Sequence, residues 1–241
     1  MAAATAAPPA TITIADANPN PNNDRYDVNF YGNHLIKTTV TSDPSVVTSW
    51  IAALPTATSA AAPLIVGLDI EWRPNFGRGY DNPVSTIQLC TTTTTTTTAH
   101  GGAGNQSNTY TCLIFQILHC PKPIPKTLYD FLANEHNLFA GVGIRSDVEQ
   151  LLIDYDLVVK NTVDLGHLAV ERVPGVRKGM GLKELARILM EVDVQKPKRV
   201  TLSRWDTEWL SYPQIQYACI DAFLSFEIAR KLLAIQHHHQ H

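Results

Sequence analysis

Asp69 and Glu71 stand two residues apart at the end of the apolar run Leu64-Ile65-Val66-Gly67-Leu68-Asp69-Ile70-Glu71-Trp72. The run has strand length. Successive side chains on a strand point to opposite faces, so the two carboxylates share one face and Leu68 and Ile70 share the other. Two acids so placed repel each other, and a divalent cation held between them would relieve that repulsion. The same residues also fit an ordinary buried strand whose end reaches solvent. The pair alone therefore does not decide between a metal site and a strand terminus.

Two further acids occur where helices are expected to begin or to turn inward. Ser146-Asp147-Val148-Glu149-Gln150-Leu151-Leu152 reads as a helix start, with Ser146 as its cap and Asp147 favoured in the first turn by the helix dipole. That placement accounts for Asp147 without any function. It also suits a third metal-associated carboxylate beside the end of a neighbouring strand. Near the C-terminus, Ser211-x-x-Gln214 has the form of a capping box with Pro213 in the first turn, followed by Ile215 to Phe223. Tyr217 and Asp221 are four apart and share a helix face. An acid in so apolar a run is costly if buried without a partner; a metal or an exposed edge would resolve that cost.

The intervening elements must position these groups. Tyr26 to Tyr31 and His34 to Val40 alternate on either side of Gly32-Asn33, which signals a hairpin. Ser42-Asp43-Pro44 begins a helix with Val46, Val47, Trp50, Ile51 and Leu54 at helical spacing. Val84 to Cys90, Tyr110 to Phe115 and Leu138 to Gly143 read as strands, and Leu128 to Asn134 as a helix. Beyond Ser146 the chain reads as nearly all helical. The pattern predicts an α/β fold, a mixed sheet covered by helices. Residues 1 to 24, rich in Ala, Pro, Asn and Thr, are expected to be mobile, and residues 91 to 108, which include eight consecutive threonines, to form a variable loop. His237, His238, His239 and His241 read as a solvated tail.

Composition narrows the classes. A chain of 241 residues with 44% hydrophobic and 17% charged residues fits one large globular domain, here residues 25 to 235. Its net charge of −3 gives no electrostatic footprint for wrapping long nucleic acid, so any such partner would be held locally. Cys90, Cys112, Cys120 and Cys219 lack metal-site spacing and fit free thiols in a reducing compartment. Without a signal-like N-terminus or an apolar run of about 18 residues, the expectation is an intracellular protein of the nucleus or cytoplasm, not a membrane protein. Oligomeric state is open, a homo-oligomer included. Lys178, Lys183, Lys196, Lys198 and Arg199 form a basic-leaning region that would suit a nucleic-acid backbone or a solvated face.

Taken together, Asp69, Glu71, Asp147, Tyr217 and Asp221 follow the sequential order of the DEDD exonucleases, in the subgroup with Tyr in the third motif. The segments "VGLDIEW" (66 to 72), "TIQLC" (86 to 90), "AGVGIRSDVEQL" (140 to 151), "NTVDLGHLA" (161 to 169), "GLKELARILM" (181 to 190), Ser203-Arg204-Trp205 and "LSYPQIQYACIDAFLSFEI" (210 to 228) resemble the same family. Over residues 26 to 234 the chain resembles the Werner-type 3′-5′ exonuclease domain, close to RNase D. The resemblance implies a ribonuclease-H-like (DnaQ-like) sheet of five or six strands and release of nucleoside monophosphates from a free 3′ end, single-stranded or recessed, by two Mg²⁺ ions, with Mn²⁺ able to substitute. It implies that Asp69 bridges both ions, that Glu71 and Asp221 complete the site of one, and that Asp147 holds the other largely through water. Tyr217 would orient the attacking water; Trp72, Ile144 and Arg145 would line the terminal nucleotides. Asp164 reads as structural. Two alternatives stay open: an exoribonuclease acting on small RNAs, like the plant RISC-interacting clearing exoribonucleases, and a catalytically silent nucleic-acid- or protein-binding module on this fold.

Overall fold

A computed structural model describes residues 11–17, 24–57, 59, 62–75, 81–97 and 105–235. The strands are β1 (Ile12–Asp16), β2 (Asp24–Phe30), β3 (His34–Thr41), β4 (Leu64–Trp72), β5 (Val84–Thr97), β6 (Asn105–Phe115), β7 (Asn137–Gly141) and β8 (Thr162–Asp164). They form one mixed sheet in the order β1-β2-β3-β6-β5-β4-β7-β8. The helices are α1 (Pro44–Ala52), α2 (Lys126–Leu132), α3 (Ile144–Tyr155), α4 (Leu165–Arg172), α5 (Leu182–Leu189), α6 (Lys198–Thr201) and α7 (Tyr212–Ala234).

The α/β expectation holds, with eight strands among the described residues in place of five or six. Two of the added strands are short edge pieces. Ile12–Asp16 pairs with β2 from Ile12↔Phe30 to Asp16↔Tyr26, so part of the segment expected to be mobile is ordered by a strand edge. Residues 1–10 and 18–23 lie outside the described ones, as does the histidine tail. Thr162–Asp164 pairs with β7 in parallel. With three residues it is too short for alternation to reveal it.

The threonine run also departs from its expected loop. Thr91 to Thr97 continue β5 and pair antiparallel with Thr111 back to Asn105. Threonine is β-branched and favours extended backbone, and an antiparallel ladder satisfies its main chain without any core. Absence of buryable side chains therefore argued against a core element but not against a ribbon. Residues 98–104 lie outside the described ones.

Each sheet face carries its own core. On one face Val66, Leu68 and Ile70 of β4 meet Val47 and Trp50 of α1, Leu128 and Phe131 of α2, and Ile144 and Leu151 of α3. On the other, α7 lies across the sheet with α4 and α5 beside it, burying Ile215, Ala218, Phe223 and Phe226. The period of two in β4 thus sends Leu68 and Ile70 into the first core and turns Gly67, Asp69 and Glu71 toward α7. At Gly67 the helix comes closest: a Cβ there would overlap the Ala222 carbonyl oxygen and sit 2.6 Å from the Phe226 nitrogen. A residue without a side chain is what lets α7 lie this low on the strand that carries the acids.

Candidate active site

Four elements converge where β4 ends. Asp69 and Glu71 project from β4 beside Gln88 and Thr86, their register partners on β5. A register shift between Glu71 and Trp72 ends the regular pairing, and Trp72 emerges 38% exposed at the rim. Such an irregularity is how a strand re-aims its last side chain.

Helix α7 brings Tyr217 and Asp221. Its start is fixed as expected: Gln214 Oε1 accepts from the Ser211 N–H at 2.9 Å, while Gln214 Nε2 donates to Ser203 Oγ and to the Arg204 carbonyl. The buried Trp205 ring lies 6.0 Å from that of Tyr217 and backs it. One oxygen from each of Asp69, Glu71 and Asp221 falls within 4.8 Å of the others.

Asp147 comes from α3, in its first turn as expected, but Ser146 is not the cap. The helix begins at Ile144, and Gly143 caps it with φ 71°, a left-handed conformation glycine adopts without a Cβ penalty. The Gly143 N–H donates to Asp164 Oδ2 at 2.7 Å, and Asp164 Oδ1 accepts from the His167 N–H at 3.1 Å. Asp164 thus ties the β7–α3 turn to the start of α4, the structural role read from its sequence. Asp164→Ala is expected to cost about 1–2 kcal/mol, measured by denaturant unfolding. An unchanged unfolding midpoint would show that the turn holds without it.

The electrostatics of the cluster are unfavourable for bare carboxylates. Burial, then the charges of Asp221 and Asp147, push the Asp69 carboxyl well above the usual range. Burial, then Asp69, pushes Glu71 up to about 10. Burial, then Asp164, pushes Asp147 up to about 7. Asp221 is raised by burial although Lys196 opposes it, donating from Nζ to Oδ2 at 2.6 Å. The Tyr217 hydroxyl is pushed far above its ordinary value by burial and by Asp221, Glu71 and Asp69. It stays a neutral donor.

This fixes a pH dependence. A carboxyl raised in the folded state contributes stability that is fully present below its unfolded value near 4 and is lost as pH rises through its folded value. For Asp147 that window closes at about 7 and for Glu71 at about 10. Chelator-treated protein is therefore expected to melt at a lower temperature at about pH 8.5 than at about pH 5, and Glu71→Gln to flatten that fall. A melting temperature that climbs over this interval, or a slope indifferent to Glu71→Gln, would contradict the assignment.

The residues fit a hard divalent cation. All three clustered donors are carboxylate oxygens, and the buried Asp69 Oδ2 has no hydrogen-bond partner among the described residues. The remaining expected residues divide by exposure. Ile144 is 2% exposed and supports the start of α3 from within the core, whereas Arg145 is exposed and pairs with Glu149 at 2.9 Å. Lys196 was one of several bases in the sequence, and nothing in its spacing singled it out as the partner of Asp221. Gln88, fully buried and hydrogen-bonded to Thr86, was visible only as part of a motif.

The mixed sheet flanked by helices is the ribonuclease-H-like fold; the structure of Escherichia coli RNase D, an exoribonuclease involved in structured RNA processing, shares it with a TM-score of 0.59 at 18% identity, over 80% of this chain and 44% of that one. The chain belongs to the 3′-5′ exonuclease family, whose model matches residues 39–235. A 3′-5′ exonuclease of Arabidopsis thaliana is 30% identical over 204 residues, covering 84% of this chain and 64% of that protein. Human exonuclease 3′-5′ domain-containing protein 2 is 32% identical over 173 residues, 70% of this chain and 25% of that protein. The chain thus spans less than two thirds of the length of either relative. Among the described residues, no helix is long and apolar enough to cross a membrane.

Proposed function

We propose that this chain is a 3′-5′ exonuclease that hydrolyses the terminal phosphodiester of a nucleic acid with a free 3′ end and releases nucleoside monophosphates. The observation that carries the reading is the convergence of Asp69, Glu71 and Asp221 within 4.8 Å, with Asp147 close enough for its charge to act on Asp69. Asp69, Glu71 and Asp221 would hold one divalent ion, and Asp69 with Asp147 a second. Bound Mg²⁺, or Mn²⁺ in its place, would acidify a water and neutralise charge growing at phosphorus.

The chain's own groups supply the rest. Tyr217, kept protonated, donates a hydrogen bond and so orients a water without serving as the base. Trp72 offers an exposed ring at the rim for a base to stack on, and Arg145 offers a nearby cation for a phosphate. Leu68 and Ile70, locked in the opposite core, fix where the two β4 carboxylates point. The four unpaired cysteines agree with action in the nucleus or cytoplasm.

The test is digestion of 5′-labelled DNA and RNA oligomers with Mg²⁺, each with a free or a blocked 3′ end. A stepwise ladder on free ends alone supports the reading, and the DNA and RNA arms distinguish the substrate. Intact oligomers in every arm would remove it in favour of a silent binding module. A ladder that ignores the 3′ block would point to a different polarity of attack.

A further inference from the structure

Just before α6, the Lys196 side chain turns inward. Lys196 donates to Asp221 Oδ2 at 2.6 Å, and its Nζ stands 5.3 Å from the centre of the Tyr217 ring. Its charge bears on Asp69 and Glu71 as well as on Asp221. One ammonium therefore serves three carboxylates, and it does so on the oxygen of the residue that closes the cluster.

The backbone around it is anchored. Val194 is buried, the Asp193 carbonyl accepts from the Tyr31 hydroxyl at 2.9 Å, and the Asp193 carboxylate pairs with Lys183 at 3.2 Å. The lysine stem, by contrast, is a flexible four-carbon chain. It borders a cavity of about 430 Å³ that Tyr31, Arg199, Gln216, Tyr217 and Asp221 also line. Arg199 lines the same cavity, as does Asp193, so an ammonium released from Asp221 would share that space with a second base. Two cations facing a cavity next to the reacting end form a receptor for a phosphodiester.

We propose that Lys196 is a two-position positioning residue, which holds Asp221 until a divalent cation takes that carboxylate and then turns into the cavity to bind a strand phosphate together with Arg199. The proposal rests on the divalent-metal reading of the site. An ammonium and a metal ion compete for one carboxylate, so metal loading would free the base that grips the strand. Linkage makes the effect reciprocal: a phosphate that draws Lys196 away leaves Asp221 open and raises metal affinity.

The experiment measures Mn²⁺ binding to the free protein by electron paramagnetic resonance, for wild type, Lys196→Met, Lys196→Arg and Asp69→Asn. Lys196→Met is expected to bind Mn²⁺ about tenfold more tightly, because a charge-assisted competitor is gone. Lys196→Arg keeps the charge that the folded cluster needs and pairs with a carboxylate through two hydrogen bonds, so it is expected to bind Mn²⁺ more weakly than wild type. A single-stranded oligomer with phosphorothioate 3′ linkages, in Mn²⁺, is expected to bind Lys196→Met more weakly and with a salt dependence lower by about one phosphate contact. A purely structural lysine would not move that slope. Mn²⁺ binding that Asp69→Asn abolishes but neither Lys196 variant alters, or an unchanged salt slope, overturns the role of Lys196 and leaves the metal site standing. Failure of wild type itself to bind Mn²⁺ overturns the metal reading and the proposal with it.

Discussion

Asp69→Asn is expected to lower the rate of the proposed exonuclease reaction by about a thousandfold or more, and also to make the metal-free protein more stable. The first effect follows from position. Asp69 clusters with Glu71 and Asp221 and also feels the charge of Asp147, and its buried Oδ2 has no hydrogen-bond partner among the described residues. An amide keeps the shape but offers a single neutral acceptor to a cation, and loss of several kcal/mol of charge stabilisation at the reacting centre corresponds to about three powers of ten in rate. The second effect follows from charge. In the folded chain the Asp69 carboxyl is held in an environment that disfavours its ionised form, through burial and through Asp221 and Asp147. Removing it relieves its neighbours, so Asp69→Asn should gain about 1–2 kcal/mol in the presence of a chelator, as strained functional sites do when their function is removed. Denaturant unfolding with and without Mn²⁺ measures this directly. Wild type should be stabilised by Mn²⁺ and the variant should not. A variant that is both inactive and less stable without metal would mean that Asp69 is a structural residue whose loss disables the fold.

The pair of opposite effects also shows which parts of the site were legible in the sequence. The strand, its alternation and the shared face of Asp69 and Glu71 follow from a period of two, which local sequence carries. The shared face of Tyr217 and Asp221 follows from a spacing of four on a helix whose capping box, Ser211 to Gln214, is equally local. Their meeting was not local. It depends on α7 crossing β4, and only the likeness of the motifs to a known order of acids pointed to it. Lys196 illustrates the limit: its bond to Asp221 spans 25 residues, and one base among the six from Lys178 to Arg199 had no distinguishing neighbour. The threonine ribbon illustrates another, since composition there argued for a loop and could not report that a partner strand would supply the hydrogen bonds. Gly143 belongs with these. Ser146 was the better cap by residue type, but the turn from β7 required a left-handed residue earlier in the chain, and glycine satisfied it.

Gly67→Ala should expose how the distant parts are held together. Gly67, Asp69 and Glu71 occupy alternate positions on one face of β4, and α7 rests on that face at Ala222 and Phe226. The atoms that a Cβ would meet are the Ala222 carbonyl oxygen and the Phe226 nitrogen, both main chain, so no flexible side chain can yield in their place. The helix must therefore lift or slide. Overpacking of this kind costs about 1–3 kcal/mol, and a buried 23-residue helix that cannot adjust locally places the substitution at the upper end. The functional effect should be larger than the loss of stability suggests. Ala222 adjoins Asp221 in sequence, so any lift at the contact moves Asp221 and Tyr217 away from Asp69, and misplacement by about 1 Å costs about a hundredfold in rate. Unfolding midpoint, Mn²⁺ affinity and rate should all fall together in Gly67→Ala. Gly181→Ala is the comparison, since nothing lies within 4 Å of its Cβ position and its φ of −81° suits any residue. It should stay within about 1 kcal/mol of wild type with its Mn²⁺ affinity unchanged. If Gly67→Ala instead keeps the wild-type rate and midpoint, α7 does not depend on the gap at Gly67, and the spacing of the three acids must be set by the α4 and α5 contacts to α7.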